Sequence, residues 1–166
     1  MTNMMILRSD MSLKIDKIID HLREKTHPIC IILTDIGGQL ISYYTRFREI
    51  NVENLGALFA SNMGATAEIA NEVLENDGFE SNFHEGKQNN VFISKIADSF
   101  LMAVVFSNST PIGIIRLFAK RACQELSTLL HDFEQQISVQ ASKNVNQNFS
   151  EELSKQFEDI LSTKRS

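Results

Sequence analysis

Apolar and polar positions along the chain follow two rhythms, and the switches between them lay out its elements. Residues 10–25 repeat near every 3.6 positions, with Ile15, Ile18, Ile19 and Leu22 on one stripe, which predicts a helix. His27-Pro28 should end it, because the residue before a proline is pushed out of the helical region. Ile29–Leu33 is continuously apolar. After Thr34-Asp35-Ile36-Gly37-Gly38-Gln39 comes a second run, Leu40–Tyr44, so the two predict a hairpin. A Gly-Gly pair can also cradle phosphate, but here a strand follows it and no Gly-Lys-Ser/Thr is present, so a turn is the reading that fits. Residues 51–75 return to the helical period, placing Val52, Leu55, Phe59, Met63, Thr66, Ala70 and Val73 on one face.

Three more strands, Phe79–Glu85, Val91–Ile96 and Phe100–Phe106, are separated by turn-like residues and predict an antiparallel meander. Ile29–Leu33 and Leu101–Phe106 are apolar on both faces and belong in the centre of a sheet. Phe79, Ser81 and Phe83 alternate with Glu80, Asn82 and His84, as an edge strand does. Ser109-Thr110-Pro111 marks a helix start. The seam Ile115, Ala119, Ala122, Leu126, Leu129 and Phe133 resembles a short coiled coil, and packing on a sheet gives the same spacing.

Beyond Ile137 the composition changes. Residues 1–137 read as one domain, 138–148 as a flexible linker, and 149–166 as an amphipathic helix capped by Ser150 with Glu151 and Glu152 in its first turn. Leu153, Phe157, Ile160 and Leu161 share one face of that helix. So short a helix is marginal alone in water and should dock, either on its own domain or on a partner.

The second face of helix 51–75 is unusual. It carries Ala57, Ala60, Ser61, Gly64 and Ala65, and no residue from Asn54 to Ala67 is charged. Gly56 and Gly64 each cost about 1 kcal/mol relative to alanine inside a helix. Small residues let another backbone come close, so this face reads as a macromolecular contact. The alternative is a helix buried between two layers of its own monomer.

Composition narrows the function classes. The chain has 166 residues and a formal charge of -5 with both signs mixed along it, which argues against a nucleic-acid binder. No segment is apolar over the ~18 residues needed to span a bilayer, and the N-terminus lacks a signal-peptide pattern, so no membrane insertion and a cytoplasmic location are expected. Cys30 and Cys123 stand apart from any ligand spacing and read as buried thiols of a reducing compartment. His21, His27, His84 and His131 show neither metal spacing nor an adjacent nucleophile, so no catalytic residue, metal or cofactor is expected. Arg46 and Arg48 could reach a partner's phosphate as an arginine finger does, although two solvated loop arginines are the plainer reading. Arg116, Lys120 and Arg121 form a small basic cluster of the kind that is most often a solvated face.

Four stretches, ILTDIGGQLIS, LGALFASNMGATAEIANEV, FESNFHEGK and LMAVVFSNSTPIGIIRLFAKRACQELSTLL, resemble the Roadblock family of the dynein light-chain type. The resemblance covers about residues 10–135 and is greatest to the bacterial members that act on a small Ras-like GTPase in gliding motility and polarity. It implies an α/β sandwich with a profilin-like, Roadblock-like fold, a five-stranded antiparallel sheet of order 2-1-5-4-3, and helices on both faces. It also implies a homodimer formed by third strands and central helices, with Phe79, Ser81, Phe83, Glu85, Gly56 and Gly64 at the interface. The GTPase would then sit on Ala57, Ala60, Ser61, Gly64, Ala65 and Glu68, with Leu153, Phe157, Ile160 and Leu161 as a further docking face, at a cell pole.

Such a protein is itself no enzyme: the family's bacterial members stimulate GTP hydrolysis by repositioning the partner's own catalytic residues, so Arg46 and Arg48 would not be catalytic. An adaptor that assembles a complex without touching nucleotide turnover is the alternative. A small-molecule sensor is a third, disfavoured because the central strands offer no cavity with convergent polar groups.

Overall fold

The computed structural model describes residues 2–73, 78–132 and 135, with side chains from Ser9 onward. The chain divides into two compact units, Met1–Thr128 and Leu129–Ser166. The proposed linker and terminal helix, including Leu153, Phe157, Ile160 and Leu161, lie outside the described residues, as does Phe133.

In the first unit the elements run α1 (Thr2–Thr26), β1 (Cys30–Asp35), β2 (Leu40–Thr45), α2 (Val52–Val73), β3 (Ser81–His84), β4 (Asn89–Ile96) and β5 (Phe100–Ser107). A third helix, α3, begins at residue 112 and fills the rest of this unit; residues 129–132 of the second unit are helical too. The strands form one antiparallel sheet of order β2-β1-β5-β4-β3, as expected. β1 and β5 are central, and their continuous apolar runs are buried on both faces.

Several boundaries differ from the sequence reading for local reasons. α1 starts eight residues before residue 10, although it stops where expected. His27 takes the left-handed conformation (φ 45°) just past its end, and the His27 N–H donates to the Arg23 carbonyl at 2.9 Å. β3 is four residues long rather than seven, since Phe79, Glu80 and Glu85 fall outside the strand. Pro111 rather than a hydroxyl caps α3: its carbonyl accepts from Ile114 and Ile115, while the Ser109 hydroxyl donates to Ser107 Oγ.

Strand register assigns the two faces. Ile32 and Thr34 of β1, Ala103 and Leu101 of β5 and Ile93 of β4 share the face that α2 covers, where Ala60 and Met63 pack on Ile93, Leu101 and Ala103. The opposite face, with Leu33, Met102, Val104 and Phe106, is covered by α1 and α3. Ile15, Ile19 and Leu22 of α1 and Ile115, Ala119, Ala122 and Leu126 of α3 are buried there. The two helices lie side by side, with the His21 and Phe118 rings edge to face at 6.4 Å.

The phase of α2 corrects the sequence reading. Its buried residues are Gly56, Ala60, Met63 and Ala70, whereas Val73, assigned to the core, is 63% exposed. Gly56 and Ala60 therefore do not belong to an outward dimer or docking face. A Cβ at Gly56 would stand 2.8 Å from Thr34 Cγ2 and 3.3 Å from the Gly38 carbonyl oxygen, so α2 lies against β1 at a distance only a glycine permits. Gly38 completes this contact from the hairpin turn: its φ is +89° and its own Cβ would meet the Ala57 Cα at 2.8 Å.

Candidate macromolecular docking face and dimer edge

The outward face of α2 combines small and apolar side chains. Ala57, Ser61, Gly64, Ala65 and Glu68 are exposed, as the sequence placed them, and a Cβ at Gly64 would meet nothing within 4 Å. Leu58 (55% exposed) and Ile69 (57%) lie on the same side, and the helical periodicity had assigned them to neither face. The Ser61 hydroxyl donates to the Ala57 carbonyl at 2.9 Å. A partner covering this face thus strands no hydroxyl donor, which removes one of the usual costs of burying a serine.

The face meets an open sheet edge. Among the described residues β3 pairs only with β4, in a ladder without register shifts, and no described strand takes its outer backbone groups. The opposite edge strand, β2, is interrupted by a bulge that skips Ile41 between Ser42 and Leu40, and such an irregularity spoils straight pairing. Of the two edges, β3 is the regular one.

A polar tie fixes β3 to α2. The Asn82 side-chain amide donates to Thr66 Oγ1 at 2.8 Å, to Met63 Sδ at 3.1 Å and to Asn62 Oδ1 at 3.2 Å, and His84 Nε2 lies 3.2 Å from the same Asn62 oxygen. Nothing in the periodicity signalled this network, since Asn82 reads only as the polar partner of an alternating strand. On the far face Phe83 stacks on the buried Phe106, centroids 6.3 Å apart, so Phe83 is partly committed to its own core. Ser81 and Glu85 are exposed, and Phe79 is 38% exposed just before the strand.

The remaining sequence candidates separate clearly. Arg46 Nη2 donates to the His27 carbonyl at 3.1 Å, tying the end of β2 to the end of α1, and among the described residues no contact places Arg48 in a cluster with it. Burial pushes the Cys30 and Cys123 thiols up to about 11, with a Ser94 hydrogen bond opposing part of the rise at Cys123, so both stay neutral and poorly nucleophilic. Among the described residues no group of His, Cys, Asp or Glu could hold a metal ion, and no helix is long and apolar enough to cross a membrane.

Residues 14–106 match the family described as Roadblock/LC7 domain. The chain belongs to the Roadblock/LC7 family. Solved structures similar to it include Myxococcus xanthus MglB, 28% identical with a TM-score of 0.68 over 72% of this chain and 96% of that one. The gliding protein MglB of Thermus thermophilus is 20% identical, TM-score 0.69, over 74% and 92% of the two chains. A Roadblock/LC7 domain from Streptomyces avermitilis is 12% identical, TM-score 0.65, over 70% and 97%. The last two share the fold alone. A sequence search among curated proteins finds no match.

Proposed function

We propose that this Roadblock protein is a homodimeric regulator of a small Ras-like GTPase, and that it stimulates GTP hydrolysis by repositioning the partner's own catalytic residues. The observation that carries the reading is the union of a small-residue outer face on α2, uncharged from Asn54 to Ala67, with a regular β3 edge that has no second partner strand among the described residues. Two β3 strands meeting across a two-fold axis satisfy both edges at once and bring two α2 helices together on one side of a continuous sheet. Ala57, Leu58, Ser61, Gly64 and Ala65 of each protomer then form a broad surface of small and apolar groups bordered by Glu68, and such a surface suits a protein partner better than water. The similarity to Myxococcus MglB and the resemblance to the gliding-motility members support a Ras-like GTPase as that partner.

No arginine on this surface is available as a finger. Arg46 is engaged with the α1 terminus, and repositioning is the mechanism that the resemblance to the gliding-motility members implies. The test is single-turnover GTP hydrolysis by a Ras-like GTPase with and without the protein, alongside light scattering of the protein alone. Faster turnover by a dimer supports the proposal. Tight binding with unchanged turnover would make the protein an adaptor instead, and a monomer at tens of micromolar would remove the dimeric platform.

A further inference from the structure

On the sheet face opposite α2, a groove of about 650 Å³ runs between α3 and the start of the β3–β4 hairpin. Arg116, Lys120, Cys123 and Ser127 follow one another along its α3 wall at helical spacing, so the wall extends over about 16 Å at 1.5 Å per residue. Phe92 and Ile96 of β4 line it below, and Phe79, 38% exposed, stands at its other side. Lys95, Asp98 and Glu80 lie on the hairpin rim; Lys95 is paired with Asp98 at 2.9 Å. Arg116 and Lys120 are exposed and have no ion-pair partner among the described residues.

The groove is therefore a trough some three helical turns long and of mixed lining, with two cations on its α3 wall that make no ion pair among the described residues, and with Glu80 beside the paired Lys95 and Asp98 on the opposite rim. An unpaired Arg/Lys pair one turn apart matches carboxylates spaced one turn apart on an opposing helix. The length and the open side suit a peptide segment better than a compact small molecule. Cys123 contributes as an apolar surface, not as a nucleophile.

We infer that this groove docks an acidic amphipathic segment of a partner protein, its apolar side chains against the exposed Phe79 and its carboxylates on Arg116 and Lys120. The site is distinct from the outer α2 face, and it does not depend on the GTPase reading. Arg121 supplies an internal control: it is on the same helix with the same charge, but its guanidinium lies over the Phe118 ring at 5.4 Å, and it does not line the groove.

The experiment is fluorescence anisotropy with a labelled 12-residue amphipathic peptide of Glu and Leu, and with its Lys and Leu counterpart, against the full chain. The Glu/Leu peptide should bind at least about tenfold more tightly than the Lys/Leu peptide, and added salt should weaken it. The Arg116→Glu/Lys120→Glu double variant, changed only at exposed positions, should lose about tenfold or more in affinity, while Arg121→Glu should bind as the unchanged protein does. Absence of binding, or equal losses in Arg121→Glu and the double variant, would overturn the inference. Loss of self-association by the double variant in light scattering would also overturn it, assigning the groove to contact between copies of the chain.

Discussion

Alanine introduced at two glycines of the same helix should change stability in opposite directions. At Gly64 an added Cβ meets nothing within 4 Å, so Gly64→Ala receives the full helix-propensity gain, about 1 kcal/mol. For an ordered domain of this size that raises the melting midpoint by about 3–5 °C. At Gly56 the same gain is opposed by a Cβ 2.8 Å from Thr34 Cγ2, inside van der Waals contact, and Thr34 is 1% exposed on a stiff β-branched side chain. Overpacking of this kind costs about 1–3 kcal/mol, which leaves Gly56→Ala between neutral and about 2 kcal/mol destabilised. Thr34→Ser removes the offending methyl, so the double variant should recover about 1 kcal/mol or more relative to the sum of the two single changes.

Urea denaturation followed by circular dichroism at fixed protomer concentration reads the unchanged protein and the four variants, with light scattering to separate any change in association. Equal stabilisation by the two alanines, or strict additivity with Thr34→Ser, would show that α2 is not seated on β1 as described.

Other consequences are more local. Asn82→Ala removes the amide that donates to Thr66, Met63 and Asn62, and should cost about 1–2 kcal/mol, with faster hydrogen exchange in β3 than in β1 as the signature. Arg46→Ala and Arg48→Ala should cost far less than the ~10³–10⁵ in stimulated rate that loss of an arginine finger brings. Arg46→Ala should also lower stability by about 1 kcal/mol through the bond to the His27 carbonyl, measurable in the same urea titration. Deleting residues 140–166 should leave a folded dimer by light scattering and calorimetry and change only partner affinity or nucleotide exchange, whereas an insoluble product would assign those residues to the core.

The sheet was legible because its strands announce their depth. Unbroken apolar runs placed β1 and β5 at the centre, and alternation placed β3 at an edge; the full order came from the family resemblance. The face of α2 was half legible. The absence of charge between Asn54 and Ala67 set this helix apart, but size misled the assignment of phase: Gly56 and Ala60 face the sheet because close helix–sheet approach requires small groups, which leaves Leu58 and Ile69 outside. Hydrophobic periodicity cannot rank small residues against large ones when distance, rather than area, decides which fits. The Asn82 network and the α3 groove depend on residues distant in sequence, so no local pattern could have revealed them. Arg116, Lys120 and Arg121 read as one cluster along the chain, yet the helix sends two of them to the groove and the third to Phe118.

The central claim is that the outer face of α2 is where the GTPase docks. Its most direct test compares stimulated GTP hydrolysis by the unchanged protein and by Ser61→Arg, an exposed position whose hydroxyl bonds only within its own helix. A charge there would have to be buried without a partner on docking, at a cost of several kcal/mol. Stimulation should therefore fall to the intrinsic rate of the GTPase while light scattering still shows a dimer. Undiminished stimulation by a dimeric Ser61→Arg protein would contradict the account and place the GTPase elsewhere.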